Sequence, residues 1–213
     1  MILDFDDLYT NSTVPWDLGA PQPAVVALAR AGRFSGAVLD AGCGLGDNAI
    51  YLARQGYRVT AIDAAGPAVE QARRRAAGVD VEFRVADATE LSGVTGRFDT
   101  VLDSALYHCL ADADRGRYVT ALHRATKPGA RLNLLCFSDQ RIGAVPSPLP
   151  VSEGNIRDTL TAGGWAITDL APGELRALTE SCRAFVEQYP EAETDDQGRI
   201  AMPIWIVQAN RIG

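Results

Sequence analysis

The chain lacks the features that would assign it to several classes of protein. Its 213 residues carry a formal net charge of −7, and no run of Lys or Arg would follow a nucleic-acid backbone. The composition therefore disfavours nucleic acid as a partner. Nowhere do eighteen apolar residues follow one another, and the first residues lack the basic start and apolar stretch of a secretory signal. We therefore expect a cytoplasmic protein with no membrane partner.

Cysteine and histidine are also scarce. The four cysteines are widely spaced, form no Cys-x-x-Cys pair, and accompany only two histidines. This pattern disfavours both a zinc site and a disulfide framework, and we predict no metal. The four thiols are expected to be free and to act as small apolar side chains.

Three glycines, in contrast, lie close together in one turn between a predicted strand and a predicted helix. An apolar strand at 37–41 runs into a turn that contains Gly42, Gly44 and Gly46, and a helix follows. Because glycine has no Cβ, the backbone can bend sharply there and a nucleotide cofactor can lie directly against the main chain. A strand-to-helix turn also uses glycine for structural reasons, so the turn needs support from its surroundings.

Acidic residues at or near the ends of four predicted strands support the interpretation of this turn as a cofactor loop. The acids are Asp40, Asp63, Asp87 and Asp103. Parallel strands of a doubly wound sheet point their carboxyl ends at one edge, so these side chains would gather along one crevice. Asp63 lies 21 residues after Gly42, the position from which a carboxylate reaches two ribose hydroxyls. Each acid taken alone could instead cap a helix.

Apolar strands and helical segments alternate along most of the chain. The strands are predicted at 37–41, 58–63, 81–86, 98–103 and 131–137. The helices are predicted at 47–55, 67–78, 112–126 and 153–162. This alternation predicts a parallel sheet covered by helices, within a single α/β domain that spans residues 1–213.

Three segments outside this alternation are expected to shape the substrate side. Residues 1–22 form an N-terminal arm, and residues 139–152 are too rich in Pro and Gly for regular structure. We expect both to close over a substrate as lids. Strands from Trp165 and at 202–209, separated by an insertion at 179–201, are expected to pair antiparallel at the edge of the sheet.

Together these motifs resemble those of the class I S-adenosylmethionine-dependent methyltransferases, over nearly the whole chain. The resemblance is carried by Asp-Ala-Gly-Cys-Gly-Leu-Gly at 40–46, Asp63, Ala-Asp-Ala at 86–88 and Lys-Pro-Gly at 127–129. It implies a doubly wound, mostly parallel seven-stranded sheet of the Rossmann-like methyltransferase type, with an antiparallel last strand. It also implies S-adenosylmethionine as the cofactor and S-adenosylhomocysteine as the product.

Within that family the chain is similar to small-molecule methyltransferases of the thiopurine and tellurite-resistance type. Residues 14–23, 46–53 and 103–108 carry this similarity. Relatives commonly read Asp-Ser-Gly-Leu-Phe-His at the last motif, whereas this chain has Ala105 and Tyr107 there. The resemblance implies methyl transfer to O, N or S of a small aromatic or heterocyclic acceptor. It leaves the acceptor and the oligomeric state open.

The resemblance also implies which residues hold the cofactor. Asp63 would bind the ribose hydroxyls, Asp87 would accept from the adenine amine, and Asp40 or nearby backbone carbonyls would meet the ammonium group. Trp16 either lies over the cationic cofactor or anchors the N-terminal arm. The full expected set is Trp16, Asp40, Gly42, Gly44, Asn48, Asp63, Ala64, Asp87, Ala88, Asp103 and Ser104.

The expected catalytic residues are His108, Tyr107 and Tyr9. His108 would take a proton from the acceptor, because it follows the fourth strand at the cofactor edge and titrates near neutral pH. The alternative is a neutral histidine that packs against the loop and bonds to a backbone carbonyl. Tyr107 and Tyr9 would bond to or stack on an aromatic acceptor, or would only line the pocket wall. A thiolate acceptor arrives already ionised and needs no base.

Other functions fit part of the pattern. An NAD-dependent oxidoreductase would use Asp63 in the same way, but Asp47 stands where its Gly-x-Gly-x-x-Gly spacing requires the third glycine. A protein that binds the cofactor without methylating, or in a regulatory role, is not excluded by the sequence. Amino-group DNA methyltransferases are disfavoured, because Asp-Ser-Ala-Leu at 103–106 replaces their Asn/Asp-Pro-Pro-Tyr/Phe motif.

Overall fold

Seven strands form one sheet in the computed structural model, which describes residues 4–213. The strands are β1 (Ala37–Ala41), β2 (Arg58–Asp63), β3 (Val81–Val85), β4 (Phe98–Ser104), β5 (Thr126–Phe137), β8 (Trp165–Leu178) and β9 (Arg199–Arg211). Their order is β3-β2-β1-β4-β5-β9-β8, and β9 runs antiparallel to both of its neighbours. This confirms the predicted fold class, a doubly wound, mostly parallel sheet with an antiparallel last strand.

The order of the strands reverses between β1 and β4, which lie side by side. β1 is buried along its whole length, and Asp40 on it lies beside Ala61 of β2 and Leu102 of β4. All three strands run parallel, so their carboxyl ends open at one edge. In sheets of this type ligands bind in the crevice at such a reversal.

Helices cover both faces of the sheet. In chain order they are α1 (Phe5–Asn11), α2 (Pro23–Arg30), α3 (Asp47–Arg54), α4 (Gly66–Arg75), α5 (Asp112–Ala125), α6 (Glu153–Ala162) and α7 (Arg183–Val186). α2, α3 and α4 share one apolar core with Val38 and Val59, while α5 and α6 share the other with Leu39 and Leu132. Among residues 4–213 no helix has both the length and the apolar character needed to cross a membrane.

Several segments differ from the sequence-based expectations. β5 begins at Thr126 rather than 131, because the chain continues as an extended strand directly after α5 ends. The segment at 139–152, expected to be irregular, contains a small hairpin of β6 (Arg141–Ile142) and β7 (Val145–Pro146). The N-terminal arm contains the helix α1, which the sequence analysis did not predict, and its residues 1–3 lie outside the described residues.

The hairpin of β8 and β9 projects beyond the rest of the sheet. β9 pairs with β5 over Ile204–Asn210 only, whereas its pairing with β8 continues to Arg199. The projecting end carries a separate apolar cluster that includes Ile200, Met202 and Val145. The insertion before β9 packs against this cluster through Phe185. The hairpin thus builds a wall beside the carboxyl edge of the sheet.

Candidate functional site

The loop after β1 is shaped for close approach of a ligand to the backbone. Gly42 and Gly44 have φ angles of +73° and +50°, which residues with a Cβ rarely adopt. A Cβ on Gly44 would lie 2.8 Å from the hydroxyl of Tyr9, and one on Gly42 would lie 2.8 Å from the Cβ of Leu106. The Gly42 N–H donates to the carbonyl of Ile62 at 2.9 Å, which ties the loop to β2. Both positions therefore need glycine for conformation and for space.

Asp63 at the end of β2 holds the same loop. Its Oδ2 accepts from the N–H of Gly44 at 2.8 Å, and its Oδ1 accepts from the N–H of Ala65 at 2.9 Å, beside the exposed Ala64. Burial raises the pKa of Asp63, while these backbone donors oppose that rise. A carboxylate offers about four lone-pair sites, so Asp63 keeps acceptor capacity for two ligand hydroxyls. This is the geometry that the ribose assignment requires.

Asp40 lies beneath the loop with only 1% of its surface exposed. Neither carboxylate oxygen has a hydrogen-bond partner among the described residues. Its pKa is raised to about 8, first by burial and then by the charges of Asp103 and Asp63, while the Ala49 backbone opposes the rise. A buried carboxylate without a partner is costly unless a donor or a cation meets it. The site therefore fits a cationic ligand.

Asp87 and Ala88 lie at the end of β3, where the adenine is expected. Asp87 is exposed, and its Oδ1 accepts from the backbone N–H and the hydroxyl of Thr89 at 2.7 and 2.8 Å. Its Oδ2 has no partner among the described residues, and Ala88 is buried beside it. A cavity of about 280 Å³ opens next to this segment, and its lining includes Ile62 and Leu91 together with polar side chains such as Thr60 and Arg97. Asp87 thus keeps an oxygen that can accept a hydrogen bond from a ligand.

The arm places Tyr9 and Trp16 against the glycine loop. The indole Nε1 of Trp16 donates to the hydroxyl of Tyr9 at 2.9 Å, and the rings meet edge to face with centroids 6.2 Å apart. Burial and the charge of Asp63 raise the pKa of Tyr9 well above its usual value. Tyr9 is therefore a neutral phenol that lies against the glycine loop. Trp16 is more than one-third exposed.

Hydrogen bonds fasten the arm to distant elements. The side chain of Gln22 donates to the carbonyl of Arg176 at 3.0 Å and accepts from its N–H at 2.9 Å. The N–H of Leu178 donates to the carbonyl of Pro15 at 2.7 Å. The Oδ1 of Asn48, expected at the cofactor, accepts from the N–H of Gln22 at 2.9 Å. The arm thus bridges the glycine loop and the projecting hairpin.

Asp103 at the end of β4 is occupied by the protein itself. Its Oδ1 accepts from the N–H of Leu106 at 2.9 Å, and its Oδ2 accepts from the hydroxyl of Tyr118 at 2.9 Å. Burial raises its pKa to about 7. These bonds shape the turn that follows Ser104, where Ala105 takes a φ of +85°. Asp103 is completely buried and placed to hold the turn, so the geometry does not favour the expected direct contact with the cofactor.

Tyr107 is completely buried and points away from the crevice. Its hydroxyl donates to the Oδ1 of Asn155 on α6 at 3.0 Å, and the guanidinium of Arg115 lies over its ring at 5.1 Å. The expectation that Tyr107 contacts the acceptor is therefore corrected. Its position in the motif at 103–108 predicts that Tyr107 lies near the site, but not where its side chain points.

His108 lies at the crevice, where one of its ring nitrogens is engaged by the backbone and its basicity is low. Its Nδ1 accepts from the N–H of Phe137 at 3.0 Å, and the two rings stack with centroids 4.0 Å apart. Burial, assisted by the positive charge of Arg115, lowers the pKa of His108 to about 3. The geometry does not favour the expected base role, because the Nδ1 lone pair is engaged and the lowered pKa makes the ring a weak base. The alternative of a packed, neutral histidine is closer, although its backbone partner is an N–H group.

Sequence reasoning missed the residues that support His108. Phe137 ends β5, Arg115 lies on α5, and Asn155 lies on α6, so three separate elements build this corner. Phe137 carried a weak signal, since it is the last residue of a strand that ends at the cofactor edge. Nothing in the spacing of Arg115 or Asn155 indicates their role.

Comparisons with known proteins agree with this geometry. A family model described as a methyltransferase domain matches residues 38–129. The 2-heptyl-1-hydroxyquinolin-4(1H)-one methyltransferase of Mycobacteroides abscessus is 34% identical over 202 residues, covering 92% of this chain and 88% of that protein. A solved structure, described as "Conversion of a Disulfide Bond into a Thioacetal Group during Echinomycin Biosynthesis", is 37% identical with a TM-score of 0.83. It covers all of this chain and 93% of the other.

A more distant structure shares the fold. The magnesium protoporphyrin IX methyltransferase of Synechocystis PCC 6803, with bound S-adenosylmethionine, has a TM-score of 0.61 at 23% identity. The match covers 88% of this chain and 80% of that one. The glycine loop, the acids at the strand ends and the relatives thus point the same way. The chain belongs to the class I S-adenosylmethionine-dependent methyltransferases that act on small molecules.

Proposed function

We propose that the chain methylates an oxygen or sulfur of a small heteroaromatic molecule whose reacting atom has no proton to lose at neutral pH. The observation that carries this proposal is the hydrogen bond from the Phe137 N–H to the Nδ1 of His108. That bond uses the lone pair of Nδ1, so the ring proton resides on Nε2. A histidine in this tautomer presents a donor to the crevice and cannot accept a proton there.

The other candidate bases fail for their own reasons. Tyr107 is buried against Asn155, and Tyr9 is a neutral phenol with a raised pKa. The thiols of Cys109 and Cys136 also have raised pKa values because both are buried. Among the described residues of this corner, no side chain is poised to remove a proton at pH 7. An acceptor that arrives as an anion, or with a bare lone pair, needs no such group.

The relatives favour the same class of acceptor. The name of the Mycobacteroides abscessus enzyme specifies a 1-hydroxyquinolin-4(1H)-one, whose N-hydroxyl is much more acidic than an alcohol. The echinomycin structure concerns a disulfide bond, whose sulfurs carry lone pairs and no proton. Both substrates can attack a methyl group without general-base assistance. We therefore infer an N-hydroxy or sulfur nucleophile for this chain as well.

On this proposal, the first half of the chain holds the cofactor. Asp63 binds the ribose hydroxyls, Asp40 meets the ammonium group, and Asp87 accepts from the adenine amine. The backbone of Gly42 and Gly44 lies against the cofactor. S-adenosylmethionine supplies an electrophilic methyl group whose bond to sulfur breaks as the nucleophile attacks in line, leaving a neutral thioether.

The protein's part in the reaction is to position and to exclude water. The arm (residues 4–22 as described), residues 139–152 and the insertion at 179–201 would enclose the acceptor within one domain. A cationic donor and an anionic nucleophile neutralise each other in the transition state, so a dry site lowers the cost of bringing them together. Alignment at near-contact distance supplies much of the remaining rate.

The test is the pH dependence of kcat/KM for two acceptors. 1-Hydroxyquinolin-4(1H)-one and a simple phenol of similar size differ mainly in the pKa of the reacting hydroxyl. With S-adenosylmethionine saturating at every pH, so that the ionisation of Asp40 on cofactor binding does not enter, we expect each profile to rise through the pKa of its own acceptor, with no enzyme ionisation common to both acceptors. A phenol that is methylated well below its own pKa, with a common enzyme ionisation in both profiles, would contradict the proposal.

A further inference from the structure

We infer that His108 is a fixed hydrogen-bond donor that selects acceptors with an oxygen or nitrogen beside the reacting atom, and that Phe137 positions its ring. The inference rests on the proposed function for its setting, but it makes a separate claim. His108 would recognise the acceptor rather than activate it. The chemical class it selects is a nucleophile with an adjacent carbonyl, N-oxide or ring nitrogen. A 1-hydroxyquinolin-4(1H)-one, whose carbonyl lies across the ring from its N-hydroxyl, would be methylated without help from this donor.

The donor is defined by what each ring nitrogen does. Nδ1 accepts from the Phe137 N–H at 3.0 Å, so Nε2 carries the proton. Within residues 4–213 no group accepts a hydrogen bond from Nε2, and Nε2 is not among the fully buried atoms that lack a partner, so it keeps some accessible surface. The side chain as a whole is only 7% exposed, so a small opening reaches that donor. A ligand that enters this opening can therefore accept a hydrogen bond from Nε2.

The direction of the donor is fixed by packing. The imidazole stacks on the Phe137 ring at 4.0 Å between centroids, with 18° between planes. The hydrogen bond and the stack both come from the last residue of β5, so the ring is held in its plane and against rotation. His108 itself lies in the 3-10 turn Tyr107–Cys109 that Asp103 braces. The donor is therefore pre-organised before a ligand arrives.

The surrounding charges keep the ring neutral. Arg115 on α5 is the charged group that acts on His108, and burial works in the same direction. The stacking partner from β5, Phe137, carries no charge. A neutral donor beside an anionic nucleophile can orient a neighbouring oxygen without placing a proton on the reacting atom. A protonated imidazole at the same place would quench the nucleophile.

Two variants of His108 test the roles of its two ring nitrogens separately. In His108→Asn the amide oxygen takes about the place of Nδ1 and keeps the bond from Phe137, but the variant has no group at the place of Nε2. In His108→Gln the amide nitrogen reaches about the place of Nε2 and restores the donor. A merely structural role would be served better by Asn, whereas a donor role would be rescued by Gln.

Two thiols of nearly the same shape report on the donor. 2-Acetylbenzenethiol carries a carbonyl beside the sulfur, and 2-isopropylbenzenethiol carries a methyl group in its place. We expect His108→Asn to lower kcat/KM about ten- to one-hundred-fold for the acetyl compound, mostly through KM, and less than three-fold for the isopropyl compound. His108→Gln should recover most of the loss. Equal losses on both thiols would overturn the inference.

A readout without turnover decides the same point. The chain has two histidines, so the ¹⁵N spectrum of the imidazoles contains two ring systems, and a His123→Asn variant assigns them. We expect His108 to stay in the neutral Nε2–H form from pH 5 to 9, with the Nε2 resonance shifting when the acetyl thiol binds with S-adenosylhomocysteine. A protonated ring, an Nδ1–H form or an unchanged Nε2 resonance would overturn the inference.

The two proposals fail in different ways. An enzyme ionisation in the pH profiles contradicts an acceptor without a proton to lose, whatever the thiols show. A neutral His108 whose loss affects both thiols equally contradicts the donor role, even if the profiles follow the acceptors.

Discussion

The two sides of the crevice treat their polar groups differently. On the cofactor side, Asp40 has no partner and Asp63 keeps free lone pairs after bonding Gly44 and Ala65. On the acceptor side, by contrast, Asp103 is occupied by protein donors. The cofactor side is therefore built to receive charge and hydroxyl groups from a ligand. The acceptor side uses its polar groups to hold its own shape.

The largest change in cofactor affinity, and so the strongest test of this difference between the two sides, is expected at Asp63. Asp63→Ala removes the proposed ribose acceptor and the anchor for the Gly44 N–H, so S-adenosylhomocysteine should bind more than ten-fold more weakly, about 2–3 kcal/mol. Calorimetric titration measures the change. Asp158→Ala, which removes an exposed carboxylate of α6, is the control and should leave affinity unchanged. Unaltered binding in Asp63→Ala would remove the ribose assignment.

The next effect concerns the pH dependence of cofactor binding. Because the pKa of Asp40 is about 8 in the free protein, the carboxyl is protonated at pH 6 and must ionise to meet an ammonium group. The affinity for S-adenosylhomocysteine should therefore rise with pH between 6.0 and 7.5, by up to about ten-fold per pH unit, with release of about one proton. This range lies below the titration of the ligand's amino group.

The control is Asp40→Asn, which cannot ionise and should bind with little pH dependence. Titrations in two buffers of different ionisation enthalpy count the protons released. The free energy of unfolding of the free protein changes in the opposite direction. It falls as pH rises from about 4 towards 8, because the pKa of Asp40 is higher in the folded than in the unfolded protein. If the wild type and Asp40→Asn share one pH profile, Asp40 does not meet the cationic group.

A smaller change, in stability rather than in cofactor affinity, is expected on the acceptor side. Tyr118→Phe removes the hydroxyl that donates to Asp103 and leaves one oxygen of a buried carboxyl without a partner. We expect a loss of about 1–2 kcal/mol in the free energy of unfolding, with affinity for S-adenosylhomocysteine changed less than two-fold. Urea denaturation and calorimetry measure the two quantities. A large loss of cofactor affinity would place Asp103 on the cofactor side after all.

The smallest effect is a gain of stability at Ala105. Its φ of +85° is strained for a residue with a Cβ. Ala105→Gly relieves the strain but increases the freedom of the unfolded chain, so we expect a net gain of about 0.5–1 kcal/mol. Ala113→Gly, at an exposed position of α5, should instead lose about 1 kcal/mol. A loss at both positions would argue against strain at Ala105.

The local geometry of the glycine loop could be predicted from the sequence more fully than the surroundings of His108. The glycine loop and Asp63 follow from constraints within a few residues of each motif, because a turn that bends against the backbone needs glycine wherever it occurs. The state of His108 depends on Phe137, which is 29 residues away. The bonds between Gln22 and Arg176 join residues 154 positions apart. No local pattern reports such partners.

Orientation was the other limit. The motif at 103–108 gave the correct neighbourhood, but alternate side chains of a tight turn point in different directions. Tyr107 turned into the core while His108 stayed at the crevice. The irregular turn, with Ala105 at positive φ, decides this and cannot be deduced from strand periodicity. The strands themselves, with their simple two-residue period, were located within a few residues, except for the early start of β5.

The fastening of the arm to the last hairpin has a consequence for engineering. Gln22 and Pro15 bond to Arg176 and Leu178, so the segment that covers the cofactor loop and the segment that walls the acceptor are joined as one part. Grafting the hairpin of a relative to change substrate preference would leave the arm without its matching edge. The two segments form a single exchangeable module, although they stand at opposite ends of the chain.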